Sequence, residues 1–152
     1  MATKLSEHFT YEEFISSSTA SKYKINNEMG PDEYYNAETL CNEILEPIRE
    51  KLGMPIIITS GYRCRELNKK VNGSPTSQHV DGTAADIHCK NMLKMWEVII
   101  DMIKNEEIEC GQLINEFNLS WIHISLPTRG KTNEVLKATK QNGKTIYTKL
   151  KI

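Results

Sequence analysis

The chain has 152 residues, 39% of them hydrophobic and 26% charged, with a formal net charge of −1. That length suits one domain, residues 1–152, with one real core. The near-neutral balance speaks against wholesale nucleic-acid binding, and no apolar run approaches the roughly 20 residues a membrane-spanning helix needs. The N-terminus lacks the apolar stretch of a secretory signal, so the chain is expected to be made in the cytoplasm. Four scattered cysteines (Cys41, Cys64, Cys89, Cys110) without a C-x-x-C pair read as free thiols of a reducing compartment.

Thr10-Tyr11-Glu12-Glu13 has the form of a capping box and opens a short helix carrying Phe14 and Ile15. Ser16 to Thr19 reads as a loop, and Asn26 to Pro31 as a turn-rich segment. Asn36 is read as the cap of the main core helix. Its apolar residues at Ala37, Leu40, Cys41, Ile44, Leu45, Ile48 and Leu52 form one stripe. Gly53 ends that helix, and Pro47 is expected to kink it or break one hydrogen bond. Pro55 to Thr59 is apolar and β-branched, hence a buried strand that delivers Tyr62 and Arg63 to its end.

Arg65 to Val71 has helical composition and stops at Asn72-Gly73. Ser74 to Gly82 is a loop, and Ala84 to His88 a short strand with Ala84, Asp86 and His88 on one face. Asn91 caps a second long helix reaching about Lys104. Gln112 to Glu116 and Trp121 to Leu126 read as two strands joined near Asn118. Val135 to Ala138 and Thr145 to Leu150 flank Asn142-Gly143, a strong hairpin signal. Helices first and antiparallel strands later predict an α+β domain, with helices packed on a small antiparallel sheet.

The stretch from Thr59 to Asp86 is poor in core formers and rich in residues that make sites. It holds His79 and Asp86 seven apart, with Gly82 between them to let the chain double back. His123 stands far downstream in Trp121-Ile122-His123-Ile124-Ser125. Two imidazoles and one carboxylate, with a fourth position open, form the ligand set of a catalytic zinc ion. His88 shares a face with Asp86 and is a further candidate for a ligand or a partner of one. By the same alternation Trp121 and Ser125 share a face with His123, so Trp121 either walls a pocket or packs in the core.

Ser77 to Asp86 matches S-x-H-x-x-G-x-A-x-D at every fixed position. This resembles the signature of the M15 family of zinc D-alanyl-D-alanine peptidases, in the hedgehog/DD-peptidase fold. Ser60-Gly61-Tyr62-Arg63, with Leu67-Asn68 and Gly73-Ser74 following, and Trp121 to Ser125 are similar to that family's other elements, especially in its short phage endolysin and bacterial members. The resemblance spans about residues 5 to 126, with a C-terminal hairpin at 132–152 beyond it. It implies zinc held by His79, Asp86 and His123, with Arg63 as the cation at the scissile carbonyl or its oxyanion. It also implies that Ser77 and Gln78 support the site or touch substrate, and Tyr62 is grouped with them as a substrate contact.

Many members of that family carry an acid three residues before the last histidine, where this chain has Ser120. The nearest upstream carboxylate is Glu116, which a tight turn would bring to the same pocket as general base; Asp81 is the lesser alternative. The resulting expectation is a zinc metallopeptidase acting as a monomer on peptidoglycan stem peptides. The bond is either a terminal D-Ala–D-Ala link or an internal L–D link. Absence of a signal leans towards a phage-type enzyme released to reach the wall. The rival reading is a catalytically silent, zinc-containing module that binds wall or partner, for which Ser120 is the best support. Lys137, Lys140, Lys144, Lys149 and Lys151 read as a solvated hairpin face, with binding of anionic cell-wall polymer as the lesser alternative.

Overall fold

The computed structural model describes residues 2–127 and 130–152. Helix α1 (Tyr11–Ile15) begins where the sequence places it, because Thr10 Oγ accepts the Glu13 N–H at 3.2 Å. The Glu13 carboxylate turns to the Thr10 hydroxyl rather than to its amide. The serine run expected to be a loop instead holds a second short helix, α2 (Ser18–Lys22), since Ser17 supplies a hydroxyl cap to Ala20 N–H.

The main helix also starts earlier than expected. α3 (Pro31–Leu40) opens at Pro31, whose fixed φ suits a first helical position, and Glu33 reaches back to the Gly30 N–H at 3.1 Å. Asn36 is therefore interior to the helix. Its side-chain amide donates to the Asp81 carbonyl at 2.9 Å, tying α3 to a loop far away in sequence. Pro47 acts as expected but through a specific device. A π turn, Cys41–Leu45, precedes α4 (Glu46–Leu52), and the Glu46 N–H bonds to the Cys41 carbonyl five residues back. The wide turn absorbs the bond that proline cannot make.

Six strands form one sheet in the order β1-β2-β4-β3-β5-β6. They are β1 (Ile57–Ser60), β2 (Ala84–His88), β3 (Gln112–Glu116), β4 (Trp121–Ser125), β5 (Glu134–Gln141) and β6 (Lys144–Lys149). β1 is an edge strand, with Ile57 exposed and Ile58 buried, so the buried strand expected there is only half covered. α5 (Arg65–Lys70) follows it, and the chain turns just beyond at Asn72, where φ is 59°. α6 (Met92–Lys104) is capped by the Asn91 side chain.

Four of the strand pairings are antiparallel, but β3 and β5 pair in parallel. β5 therefore runs opposite to β4 and alongside β3. Asn133 docks its start, its N–H bonding the Cys110 carbonyl at 2.6 Å and its side chain accepting the Cys110 N–H at 2.9 Å. Asn142 and Gly143 both have positive φ, 50° and 76°, as the tight hairpin turn requires.

The α+β architecture expected from the sequence is the one found, with helices against the sheet. Leu40, Ile44, Leu45 and Ile48 meet Met95 and Ile99 of α6 and the Ala85, Ile87, Ile122, Ile124 and Leu113 face of the sheet in one core. Each fully buried aliphatic there contributes about 1.5–3 kcal/mol. The four cysteines are free thiols. Among the described residues no helix is long and apolar enough to cross a membrane.

Candidate metal centre

With the helices covering one face of the sheet, alternation sends the intervening side chains to the other. Asp86 of β2 lies directly across from His123 of β4, and His123 directly across from Ile114 of β3. His79 comes from outside the sheet, on the 3₁₀ turn Gln78–Asp81 that precedes β2. Ser77 caps that turn by accepting the His79 N–H at 3.3 Å. Gly82 ends it at φ 75°, against α3 so closely that a Cβ would fall 2.6 Å from the Glu33 carbonyl oxygen. The sharp return made possible there brings a loop histidine and a strand aspartate together.

The three side chains converge, their candidate ligand atoms lying within 4.8 Å of one another. His79 Nδ1 bonds to the Gly61 carbonyl at 2.6 Å, which assigns the proton to Nδ1 and leaves the Nε2 lone pair 3.3 Å from Asp86 Oδ1. His123 Nε2 faces Gln78 Oε1 at 3.1 Å, so Nε2–H donates there and the Nδ1 lone pair points at the same Asp86 oxygen, 3.1 Å away. Two neutral imidazole lone pairs and a carboxylate oxygen facing one point, largely buried, repel unless a cation lies among them. The donor set fits a divalent metal, and the bonds to Gly61 and Gln78 orient the rings as outer partners of metal-binding histidines do.

Arg63 sits beside this cluster at the end of β1. Its backbone N–H bonds to the His79 carbonyl at 3.1 Å. Nε donates to Asn68 Oδ1 at 3.1 Å and one terminal nitrogen to Ser77 Oγ at 3.1 Å. Among the described residues no carboxylate pairs with it. Burial lowers its pKa and Asp86 partly restores it, while a guanidinium remains charged throughout the accessible range.

The three candidate ligands lie on the floor of a groove of about 980 Å³. Arg63, Gly73, Ser74 and Ser77 form one wall. Glu116, Trp121, Leu136 and Tyr147 stand on the other side. Glu116 is 9% exposed, and burial raises its pKa, with Asp86 adding to the rise while His123 and the Trp121 indole N–H oppose it. Among the described residues the buried indole N–H meets no hydrogen-bond acceptor at bonding geometry. Ser120 points elsewhere, donating to the Phe117 carbonyl within the turn that joins β3 to β4. That turn holds Phe117, Asn118 and Leu119 at φ 51°, 59° and 60°.

Not every candidate reaches the groove. Tyr62 packs against the core, its N–H bonded to the Phe14 carbonyl at 2.8 Å. His88 is exposed at the far end of β2, opposite Ile57, and stands apart from the convergent group. Asp81 closes the 3₁₀ turn and is not among the residues lining the groove, its carbonyl held by Asn36. Ser77 and Gln78 line the groove while also holding Arg63, His79 and His123. Trp121 lines the groove as one of its two readings required.

Two buried asparagines make contacts that the sequence reading did not assign, although Asn68 stands in the Leu67-Asn68 pair quoted above. Asn68 holds Arg63 and donates to the Ser74 carbonyl at 2.8 Å. Asn27 bridges the Ile15 and Tyr62 carbonyls and accepts the Cys64 N–H at 2.8 Å. For Asn68 the five-residue spacing from Arg63 was a signal; for Asn27 there was none.

Among curated proteins, none matches the chain. The sequence profile described as Peptidase M15 matches residues 7–125, well over half of the chain. That span takes in His79, Asp86, His123, Arg63 and Glu116 together, in the geometry just described. The chain belongs to the peptidase M15 family.

Proposed function

We propose that the protein is a zinc-dependent peptidase that cleaves peptidoglycan stem peptides as a monomer. The observation that carries this reading is the convergence of His79, Asp86 and His123 on the floor of an open groove that also holds Arg63 and Glu116. His79 Nε2, His123 Nδ1 and an Asp86 oxygen would hold the ion. Bound zinc supplies a Lewis acid and lowers the pKa of water towards about 7. Membership of a peptidase family supports hydrolysis of a peptide bond, and a wall peptide is the substrate class that the sequence signature implies.

Glu116 is the general base, its carboxylate taking a proton from the attacking water and returning it to the departing amine. A carboxyl whose pKa is raised by burial is better matched to both halves of that task than an ordinary surface glutamate. Arg63 holds the carbonyl oxygen as negative charge develops there. Its orientation is set by neutral groups, Asn68 and Ser77, so its charge remains free for the substrate. The Gly61 carbonyl and Gln78 keep the two imidazoles in the tautomers that face the centre.

Protein purified with stoichiometric zinc is expected to release fragments from stem peptides, with mass spectrometry identifying the bond. His79→Ala removes both metal and activity. Glu116→Gln keeps the metal and lowers kcat on the order of 10²- to 10⁴-fold. Full activity in metal-stripped protein ends this reading. A wild type that binds zinc and peptidoglycan but cleaves nothing establishes the silent binding module instead.

A further inference from the structure

The hairpin of β5 and β6 lies beyond residue 125, where the family match ends, yet it builds one side of the groove. β5 pairs with β3 so that Leu136 stands beside Ile114, in the cross-strand row that holds His123 and Asp86. Two residues further along, Glu116 pairs with Ala138, and Ala138 pairs with Tyr147 of β6. Side chains two apart on a strand share a face, and Glu116, Leu136 and Tyr147 all line the groove. Tyr147 is 56% exposed, so packing does not consume its ring. Its hydroxyl has no hydrogen-bond partner among the described residues. Burial, with the Glu116 and Asp86 carboxylates, pushes the phenol pKa up and keeps the hydroxyl a neutral donor.

We propose that Tyr147 is a specificity-determining residue whose hydroxyl binds an acceptor oxygen on the departing segment of the substrate, with Leu136 packing against that segment. The inference rests on Glu116 as base. A base that returns its proton to the leaving amine must lie within hydrogen-bond reach of that nitrogen. The leaving nitrogen therefore sits at Glu116. Strand order places β3 between the strands of Asp86 and His123 and the hairpin, so chain continuing past that nitrogen, away from the candidate metal ligands, meets Leu136 and Tyr147. The acceptor is either a terminal carboxylate or an internal peptide carbonyl, and both take a phenol hydrogen bond.

Steady-state kinetics on zinc-loaded wild type, Tyr147→Phe and Tyr147→Ala, with stem peptides whose departing segment ends in a free acid or an amide, separates the two. Loss of one hydrogen bond predicts a fall in kcat/KM for Tyr147→Phe of about five- to tenfold where the acceptor is a carbonyl, and a larger fall where it is a carboxylate, at unchanged zinc content. A fall confined to the free acid identifies the carboxylate, and an equal fall for both identifies the carbonyl. Calorimetric titration of zinc-loaded Glu116→Gln protein with the same uncleaved peptides, with and without Tyr147→Phe, should show the same factor in affinity. Wild-type kcat/KM in both Tyr147 variants, peptide affinity indifferent to Tyr147, or no peptide binding at all overturns the inference. Tyr147-dependent binding in a wild type that cleaves nothing leaves the hairpin contact standing while hydrolysis falls.

Discussion

Arg63 illustrates how much of a site is decided by residues that carry no charge. Its guanidinium is aimed by the Asn68 carboxamide and the Ser77 hydroxyl, and Asn68 is itself fixed by the Ser74 carbonyl. Gly73 closes over this unit so tightly that a Cβ there would stand 2.0 Å from Asn68 Oδ1 and 3.2 Å from an Arg63 nitrogen. Asn68 cannot swing aside cheaply, because both ends of its amide are engaged. Gly73→Ala is therefore expected to displace Arg63 and lower kcat on the order of ten- to a hundredfold, as misplacement of a catalytic group does. Zinc content should be unchanged, since none of the three candidate ligands is touched. Wild-type kcat in this variant would show that Arg63 needs no such support. Arg63 could be singled out in the sequence, whereas the partner that aims it depends on how the 64–77 segment folds back.

At the scale of elements, the N-terminal segment is held to α4 by one carboxylate. Glu46 accepts the Ser6 hydroxyl at 2.5 Å, the His8 N–H at 2.6 Å and His8 Nδ1 at 2.7 Å. Burial alone would raise its pKa, but these hydrogen bonds and the His8 charge outweigh that and lower it. A carboxyl depressed in the folded state stabilises above its unfolded value of about 4.3, and that contribution is lost as pH falls through the lower folded value. Glu46→Gln should thus cost about 1 kcal/mol at pH 7, the scale of weakened charge-assisted hydrogen bonds. Urea unfolding of both proteins should show the difference shrinking towards zero below about pH 4. A difference that grows on acidification would contradict the assigned sign. The same helix shows where local pattern fell short. Its apolar stripe was legible, but the start at Pro31 and the π turn before Pro47 reflect a cap and a missing donor that periodicity does not register.

For the whole molecule, one sheet divides two chemistries. The face carrying Ala85, Ile87, Ile122 and Ile124 is sealed by α4 and α6, and the face carrying Asp86 and His123 is left open as the groove. The core holds the strands in register, and register alone places the aspartate beside the histidine. A cation bound there links the loop of His79 to two strands, so it should stabilise the fold as well as serve the chemistry. Zinc at about a thousand times its Kd contributes about 4 kcal/mol, and for a chain of this size that raises Tm by roughly 10 °C. Calorimetry of zinc-loaded and chelator-stripped protein measures the gap. An unchanged Tm on stripping would mean that the cluster holds no tightly bound ion.

The sequence by itself determined the residue types that chemistry needs and the α+β class. Imidazole, carboxylate and guanidinium side chains stand out among apolar neighbours, and period-2 and period-3.6 patterns are local properties of the chain. Only the tertiary structure decided which of these side chains meet. Glu116 enters the groove while Tyr62 and His88 do not, because that depends on strand order, on a turn of three left-handed residues and on which edge a strand occupies. The parallel placement of β5 is of the same kind. Nothing in the Asn142-Gly143 hairpin specifies which strand it will join, yet that choice sets Leu136 and Tyr147 beside the candidate metal centre. Contacts between residues far apart in the chain are set by the packing of the core, and no local pattern encodes them.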